Sequence, residues 1–223
     1  MCYNNIGDSM TYIIIFLLSF LVSYNLFLLI DYLLMRLKLN KISTNKLFLT
    51  LLLGVIFLLF YYFYGISYKF YGSIILSLFF VQVCITDFNH FIILDSSLII
   101  TGVFFLVLKV FYFGWQSILI SFGFGILTFS FFYLLQAVSK KVLKKESLGF
   151  GDVKLAFLIG FIFDLPYLFV IIFLSAFLAL PYTYAATKLF HVKQVPFGPF
   201  LAGSLLLLFL FIEKFQYVIV LFQ

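Results

Sequence analysis

Asp152 stands in the string Leu148–Gly149–Phe150–Gly151–Asp152–Val153–Lys154, where a basic stretch runs into an apolar one. A carboxylate at such a boundary, on backbone that glycine makes permissive, costs stability and is rarely there for packing alone. Gly149 and Gly151 remove two Cβ atoms from its approach, which allows positive φ or the close passage of a substrate strand. Asp87 is a second boundary carboxylate, at the end of another apolar run, directly after the stretch Phe79–Thr86. Two carboxyls brought close together cannot both ionise comfortably, so one proton is shared between them. The ionised partner can take a proton from water while the protonated one donates a hydrogen bond to a carbonyl. That is hydrolytic chemistry with no covalent intermediate. A helix start at Asp152 favours its ionised form, and burial in an apolar bundle opposes it.

The remaining polar residues offer weaker chemistry. Asp95, followed by Ser96 and Ser97, reads as a helix cap. Asp31 lies a turn or so from Arg36 and reads as its ion-pair partner or as a snorkelling carboxylate. Asp164 precedes Leu165–Pro166 and reads as a turn. Pro196–Phe197–Gly198–Pro199 opens an apolar run and reads first as a helix start, because proline is tolerated in the first turn. Its functional alternative is a rigid re-entry packed beside the carboxylates. His90 and His191 have no partner at metal-ligand spacing, and Cys2 and Cys84 form no Cys-x-x-Cys, so neither a metal site nor a disulfide framework is expected. Nothing near Cys84 would activate it as a nucleophile. No Gly-x-Ser-x-Gly, phosphate-loop or His-Glu-x-x-His string is present.

The elements that must position these residues are apolar. Of 223 residues, 65% are hydrophobic and 10% charged, against about half and about a quarter in a soluble domain. Runs long enough to cross a ~30 Å hydrocarbon layer recur along the whole chain. The sequence predicts an all-α, polytopic bundle of about eight spans: Thr11–Leu34, Leu47–Tyr64, Phe70–Ile85, Ser96–Tyr112, Gln116–Val138, Val153–Phe163, Leu165–Thr187 and Phe197–Ile212. The sixth is short for a crossing and suits a start inside a protein-lined cavity. The first run is long, its flank is not basic, and no small-residue cleavage site follows, so it reads as a retained span.

Basic residues set the orientation. Arg36, Lys38, Lys41 and Lys46 fall between spans one and two, Lys140, Lys141, Lys144 and Lys145 between five and six, and Lys188 and Lys193 between seven and eight. With eight spans these loops share one side, which the positive-inside rule makes cytoplasmic. Lys69, Lys109 and Lys214 fall to the other side, with both termini. The net charge of +6 thus reports topology and contact with anionic lipid. It does not argue for nucleic acid.

Three strings carry a resemblance: Gly149–Phe150–Gly151–Asp152–Val153–Lys154–Leu155, Thr86–Asp87 with Ile93–Leu94–Asp95, and Val195–Pro196–Phe197–Gly198–Pro199–Phe200–Leu201. In order and spacing they resemble the type IV prepilin peptidases, bacterial membrane aspartic proteases of the GxGD type. The likeness covers roughly Leu47 to the C-terminus. It implies that Asp87 and Asp152 are catalytic and face the cytoplasm, with Gly149, Gly151, Pro196 and Gly198 as supporting backbone. Two features depart from the pattern. Leu94 stands where family members usually have proline. Only the short basic loop Met35–Lys46 stands where larger members carry a cytoplasmic domain with paired Cys-x-x-Cys motifs. The family often also methylates the new N-terminal amine with S-adenosylmethionine. With that domain missing, cleavage without efficient methylation is the expectation here. The small size resembles the pseudopilin-processing enzymes of Gram-positive competence systems.

The expected organisation is an N-terminal span with its basic loop at 1–46 and a membrane peptidase domain at 47–223. The expected function is a multi-pass enzyme of the bacterial cytoplasmic membrane that cleaves prepilin or pseudopilin leaders and needs no cofactor for cleavage. A small ion-coupled transporter or channel with acidic residues on its path is the alternative from another class, and a non-catalytic assembly subunit is a third. Clustering of the carboxylates at one membrane face, with no repeated pair of broken helices, speaks against an ion path.

Overall fold

The computed structural model describes residues 5–39, 45–143, 149–163, 165–189 and 195–220. Among them are eight helices and no strand: α1 (Asn5–Arg36), α2 (Lys46–Tyr64), α3 (Tyr68–His90), α4 (Asp95–Phe113), α5 (Gln116–Leu143), α6 (Phe150–Ile162), α7 (Leu165–Leu189) and α8 (Gly198–Val220). Each follows one of the eight apolar runs, as an all-α membrane bundle requires. Lys41, Lys144, Lys145 and Lys193 of the basic loops lie outside the described residues, as do Cys2, Leu148, Asp164 and His191.

Six of the helices, α1 to α5 and α7, are long and apolar enough to cross a membrane, and the chain is a multi-pass membrane protein. In such a solvent a helix is stable because it satisfies its own backbone groups. For the same reason α7 tolerates Pro181 in its interior. Thirteen residues of α6 reach only about 20 Å, too little for a crossing, as its length in the sequence foretold. Two boundaries move the chemistry. The third run ends at Ile85 in hydropathy, but α3 continues to His90, so Asp87 sits inside the last turn and not in the following loop. Asp152 likewise lies within α6, at its third residue.

By its contacts the chain divides into two units, Met1–Leu78 and Phe79–Gln223. In the first, α1 lies against α2, and Tyr12 and Tyr61 meet edge to face at 5.1 Å. The Asn45 side chain caps α2 by accepting from the Phe48 N–H at 3.3 Å. Asp31, buried, takes the Lys46 ammonium, so its carboxylate enters the apolar layer as an ion pair.

In the second unit α6 is the central element, with α4, α5, α7 and α8 around it. From Leu155 to Ile162 it is apolar on every side, the pattern of a helix buried all round. Val153, Leu155, Ala156 and Ile159 have no exposed surface. Small residues let it approach α5: a Cβ on Gly160 would fall 2.6 Å from the Phe124 carbonyl oxygen. Beside that contact the Thr128 hydroxyl donates across the interface to the Ala156 carbonyl at 2.9 Å. Close packing of this kind drives helix association where no hydrophobic effect acts between helices.

Candidate active site

Both boundary carboxylates are buried, Asp87 at 6% and Asp152 at 8% exposure, and they come from opposite kinds of helix end. Asp87 is in the last turn of α3. Asp152 is in the first turn of α6, whose N-cap is Gly149. The Gly149 carbonyl accepts from the amides of Asp152 and Val153 at 3.1 and 3.4 Å, and the Gly149 N–H in turn donates to the Asp152 carboxylate. This is the return half of a capping box, with an aspartate three residues after the cap. Gly149 itself is extended, at φ −69° and ψ 146°, so the positive φ allowed for at this turn is not used. Close approach is: a Cβ on Gly151 would lie 3.3 Å from Cβ and Cγ1 of Ile93.

Asp87 has its own backbone donor, the Gly198 N–H at the start of α8. The Phe197 carbonyl accepts the first α8 bonds, from Phe200 and Leu201 at 3.1 and 3.2 Å. Pro199 falls in the first turn, where its missing N–H leaves no bond unmade. The string Pro196–Pro199 therefore serves both readings: it starts a helix, and it delivers an amide to Asp87. Phe88, next along α3, meets Tyr182 of α7 at 5.4 Å and Phe200 of α8 at 6.4 Å, fixing this end of α3 to both helices.

Each carboxylate thus faces a helix N-terminus, where unsatisfied amides and the helix dipole favour negative charge. For Asp152 the opposing causes win. Burial first, and then the charge of Asp87, raise its carboxyl from the ordinary 3.8 to about 7, against the lowering by the Gly149 N–H. A carboxyl in that state holds a proton near neutral pH.

Asp95 is not the cap that its sequence suggested. The N-cap of α4 is Leu94, and no side chain caps it. The Asp95 carboxylate is instead well exposed and accepts from the Lys154 ammonium through both oxygens, at 2.6 and 2.8 Å. The α6 lysine brought against it outcompetes the weaker local capping bond because both partners are charged. Lys154 also lies 5.1 Å over the Phe150 ring.

Lys109, expected only as a charge on the far side, has a structural task. Its ammonium donates to the Phe161 carbonyl at 2.8 Å and to the Ser121 hydroxyl at 2.6 Å. The Phe161 carbonyl is among the last four of α6, which have no partner within the helix. A lysine inside an apolar run was the available sign.

A cleft of about 590 Å³ lies between α4, α5 and α6, lined by residues such as Leu98, Gly102, Phe122, Phe129 and Phe157, with Asp95 and Lys154 at one end. It is not the carboxylate site. Lys154 is about 200° around α6 from Asp152 at 3.6 residues per turn, so the cleft runs along the back of that helix.

A family model described as the type IV leader peptidase family matches residues 74–184. The match takes in Asp87, Ile93 to Asp95 and Gly149 to Lys154, and ends before Pro196. No curated protein and no solved structure matches the chain. With two buried carboxylates on facing helix ends, both within the matched residues, the chain belongs to the type IV leader peptidase family.

Proposed function

We propose that this leader peptidase is an aspartic endopeptidase with Asp87 and Asp152 as its catalytic pair, cutting the short basic leader of prepilins or pseudopilins at the cytoplasmic face. One observation carries the reading: the two buried carboxylates stand close enough for the charge of Asp87 to act on Asp152, and each has a backbone N–H donor. In this mechanism the pair shares one proton, held mainly at Asp152. The Asp87 carboxylate, steadied by the Gly198 N–H, takes a proton from water. The water oxygen attacks the scissile carbonyl as Asp152 donates to the carbonyl oxygen. The tetrahedral adduct then collapses as a proton passes to the leaving amine, and the pair returns to its starting state. Gly149, Gly151, Pro196 and Gly198 act through backbone and supply no reacting group.

The face of cleavage is read from charge. Lys140 and Lys141 end α5 and Lys188 is in the last turn of α7, and a bias of basic residues marks the cytoplasmic side. The substrate's apolar helix would lie in the bilayer and present its leader junction at that level. Family membership leaves the ion-path alternative without support. The same reading has the enzyme cleave without methylating its product efficiently. S-adenosylmethionine needs a pocket with several placed polar groups, and the cleft behind α6 is apolar with its two charged side chains bound to each other. It does not fit an adenosyl group.

The decisive experiment replaces each aspartate and follows leader cleavage. Asp87→Asn and Asp152→Asn should each abolish it with the protein still in the membrane, whereas Asp95→Asn should keep substantial activity. Near-normal cleavage by either of the first two would sink the assignment.

A further inference from the structure

We propose that Ile93 is a positioning residue for the carboxylate pair, wedged between the backbones that carry Asp152 and hold Asp87. This rests on the catalytic reading of those two residues. Ile93 lies in the turn between α3 and α4, is 7% exposed, and touches both glycines that flank the site. A Cβ on Gly151 would meet its Cβ and Cγ1 at 3.3 Å, and a Cβ on Gly198 would meet its Cδ1 at 3.0 Å. Gly151 immediately precedes Asp152 on α6. Gly198 begins α8 and donates its N–H to Asp87. One side chain therefore sets how near two helix starts can come, and each helix start governs one carboxylate.

The turn is built to hold that side chain still. Phe91 ends α3 at φ +56°, a left-handed conformation that a bulky residue adopts only when its surroundings determine it. Its N–H donates to the Asp87 carbonyl at 3.0 Å, so the turn is tied to the backbone of the catalytic residue itself. On the other side the Leu94 carbonyl accepts from the Ser97 and Leu98 amides and from the Ser97 hydroxyl at 2.6 Å. Between these fixed points Ile93 has little backbone freedom. Its β-branch restricts χ1, so Cγ1 has a defined place. Glycine at 151 and 198 follows from the same geometry, because a side chain at either position would displace the wedge.

The inference separates Ile93 from an ordinary core residue. Loss of a core side chain lowers the amount of folded enzyme. Loss of a spacer lowers turnover in the enzyme that remains folded, because a misplacement near 1 Å costs about a hundredfold in rate. Ile93→Val removes only Cδ1, the atom that meets Gly198, and Ile93→Ala removes Cγ1 and Cγ2 as well.

The test is cleavage of a model prepilin with a basic leader, co-reconstituted in phosphatidylethanolamine–phosphatidylglycerol vesicles, with rates normalised to folded enzyme. Asp87→Asn and Asp152→Asn are run in parallel. The expected result is a fall in kcat of about a hundredfold for Ile93→Ala, an intermediate fall for Ile93→Val, and KM unchanged within about twofold. If Ile93→Ala does not fold, Ile93→Val decides. Wild-type kcat in the folded Ile93 variants, with both aspartate variants dead, would overturn the wedge and leave the catalytic reading standing. A rise in KM with kcat intact would also overturn it. Active aspartate variants would instead remove the catalytic reading itself.

Discussion

The Gly198 backbone lies so close to the Asp87 carboxylate that a Cβ on residue 198 would fall 2.6 Å from Oδ2. No carbon sits that near a carboxylate oxygen without something moving. The same carbon would press on Ile93 Cδ1 at 3.0 Å. Glycine is thus required by the space that Asp87 occupies and not by an unusual φ. Gly198→Ala should leave the protein folded in the membrane and lower kcat by about a hundredfold, the scale of a misplacement near 1 Å. Cleavage of a reconstituted prepilin substrate at saturating concentration checks it, and a kcat within a few-fold of wild type would contradict the role given to this position.

The proton on the pair predicts a pH dependence with a definite sign. Burial and the charge of Asp87 raise the Asp152 carboxyl to about 7, so as pH rises through that value Asp152 loses the proton that the proposed mechanism donates to the scissile carbonyl. The ratio kcat/KM should fall as pH rises through about 7, tenfold per unit on the descending limb for loss of one proton. Stability follows the same group. Its pKa is raised in the folded state, so the native protein holds a proton that the unfolded chain has lost. The stability contributed is complete below the ordinary carboxylate range and is lost as pH rises to about 7, with no further loss from this group above it. Melting temperatures of wild type and Asp152→Asn between pH 4 and 8.5 should therefore converge differently: the wild type falls, and the variant falls less. Activity that is flat or rising from pH 7 to 9 would contradict the shared proton.

Much of this was legible in the sequence, and the limits have physical causes. Helix number and order follow from apolar run length, because in a bilayer length and hydropathy are nearly the whole specification of a span. The pair Asp87 and Asp152 was legible because a carboxylate at a membrane boundary is conspicuous. Ile93 was not, since an isoleucine in an apolar chain carries no sign of what it touches. The Asp95–Lys154 pair was also missed. Its partners are 59 residues apart, and only folding brings the start of α4 beside α6. The helix extension past Asp87 escaped hydropathy because Phe88, Asn89 and His90 continue a helix without continuing an apolar run.

Packing of α6 against α5 gives a prediction independent of the chemistry. Gly160 faces the Phe124 carbonyl so closely that an added Cβ would lie 2.6 Å from it, and backbone cannot step aside as a side-chain tip can. Gly160→Ala should cost about 1–3 kcal/mol, the range for overpacking a tight interior. Gly102→Ala is the contrast. Its Cβ would meet only Leu158 Cδ1, at 3.8 Å, and alanine is favoured over glycine in a helix by about 1 kcal/mol. Thermal unfolding in detergent should therefore show Gly160→Ala less stable than wild type and Gly102→Ala at least as stable. Equal melting temperatures for the two would show that helix propensity, and not the fit of α6 on α5, governs this region.

Methylation is the last expectation, and it turns on where a cofactor could sit. The segment Met35–Lys46, expected to stand where larger family members carry a cytoplasmic domain, contains no cysteine to hold a metal. Of its charged residues, Lys46 is committed to Asp31. Behind α6 the cleft has volume but not chemistry: an adenosyl group needs hydrogen-bond partners, and Asp95 and Lys154 are bound to each other. The enzyme should therefore release a mature substrate with a free N-terminal amine. Mass spectrometry of a substrate processed by this enzyme alone, with S-adenosylmethionine supplied, reads the outcome directly. A quantitative gain of one methyl group on the new N-terminus would mean that span ends and short loops suffice to build the transferase site.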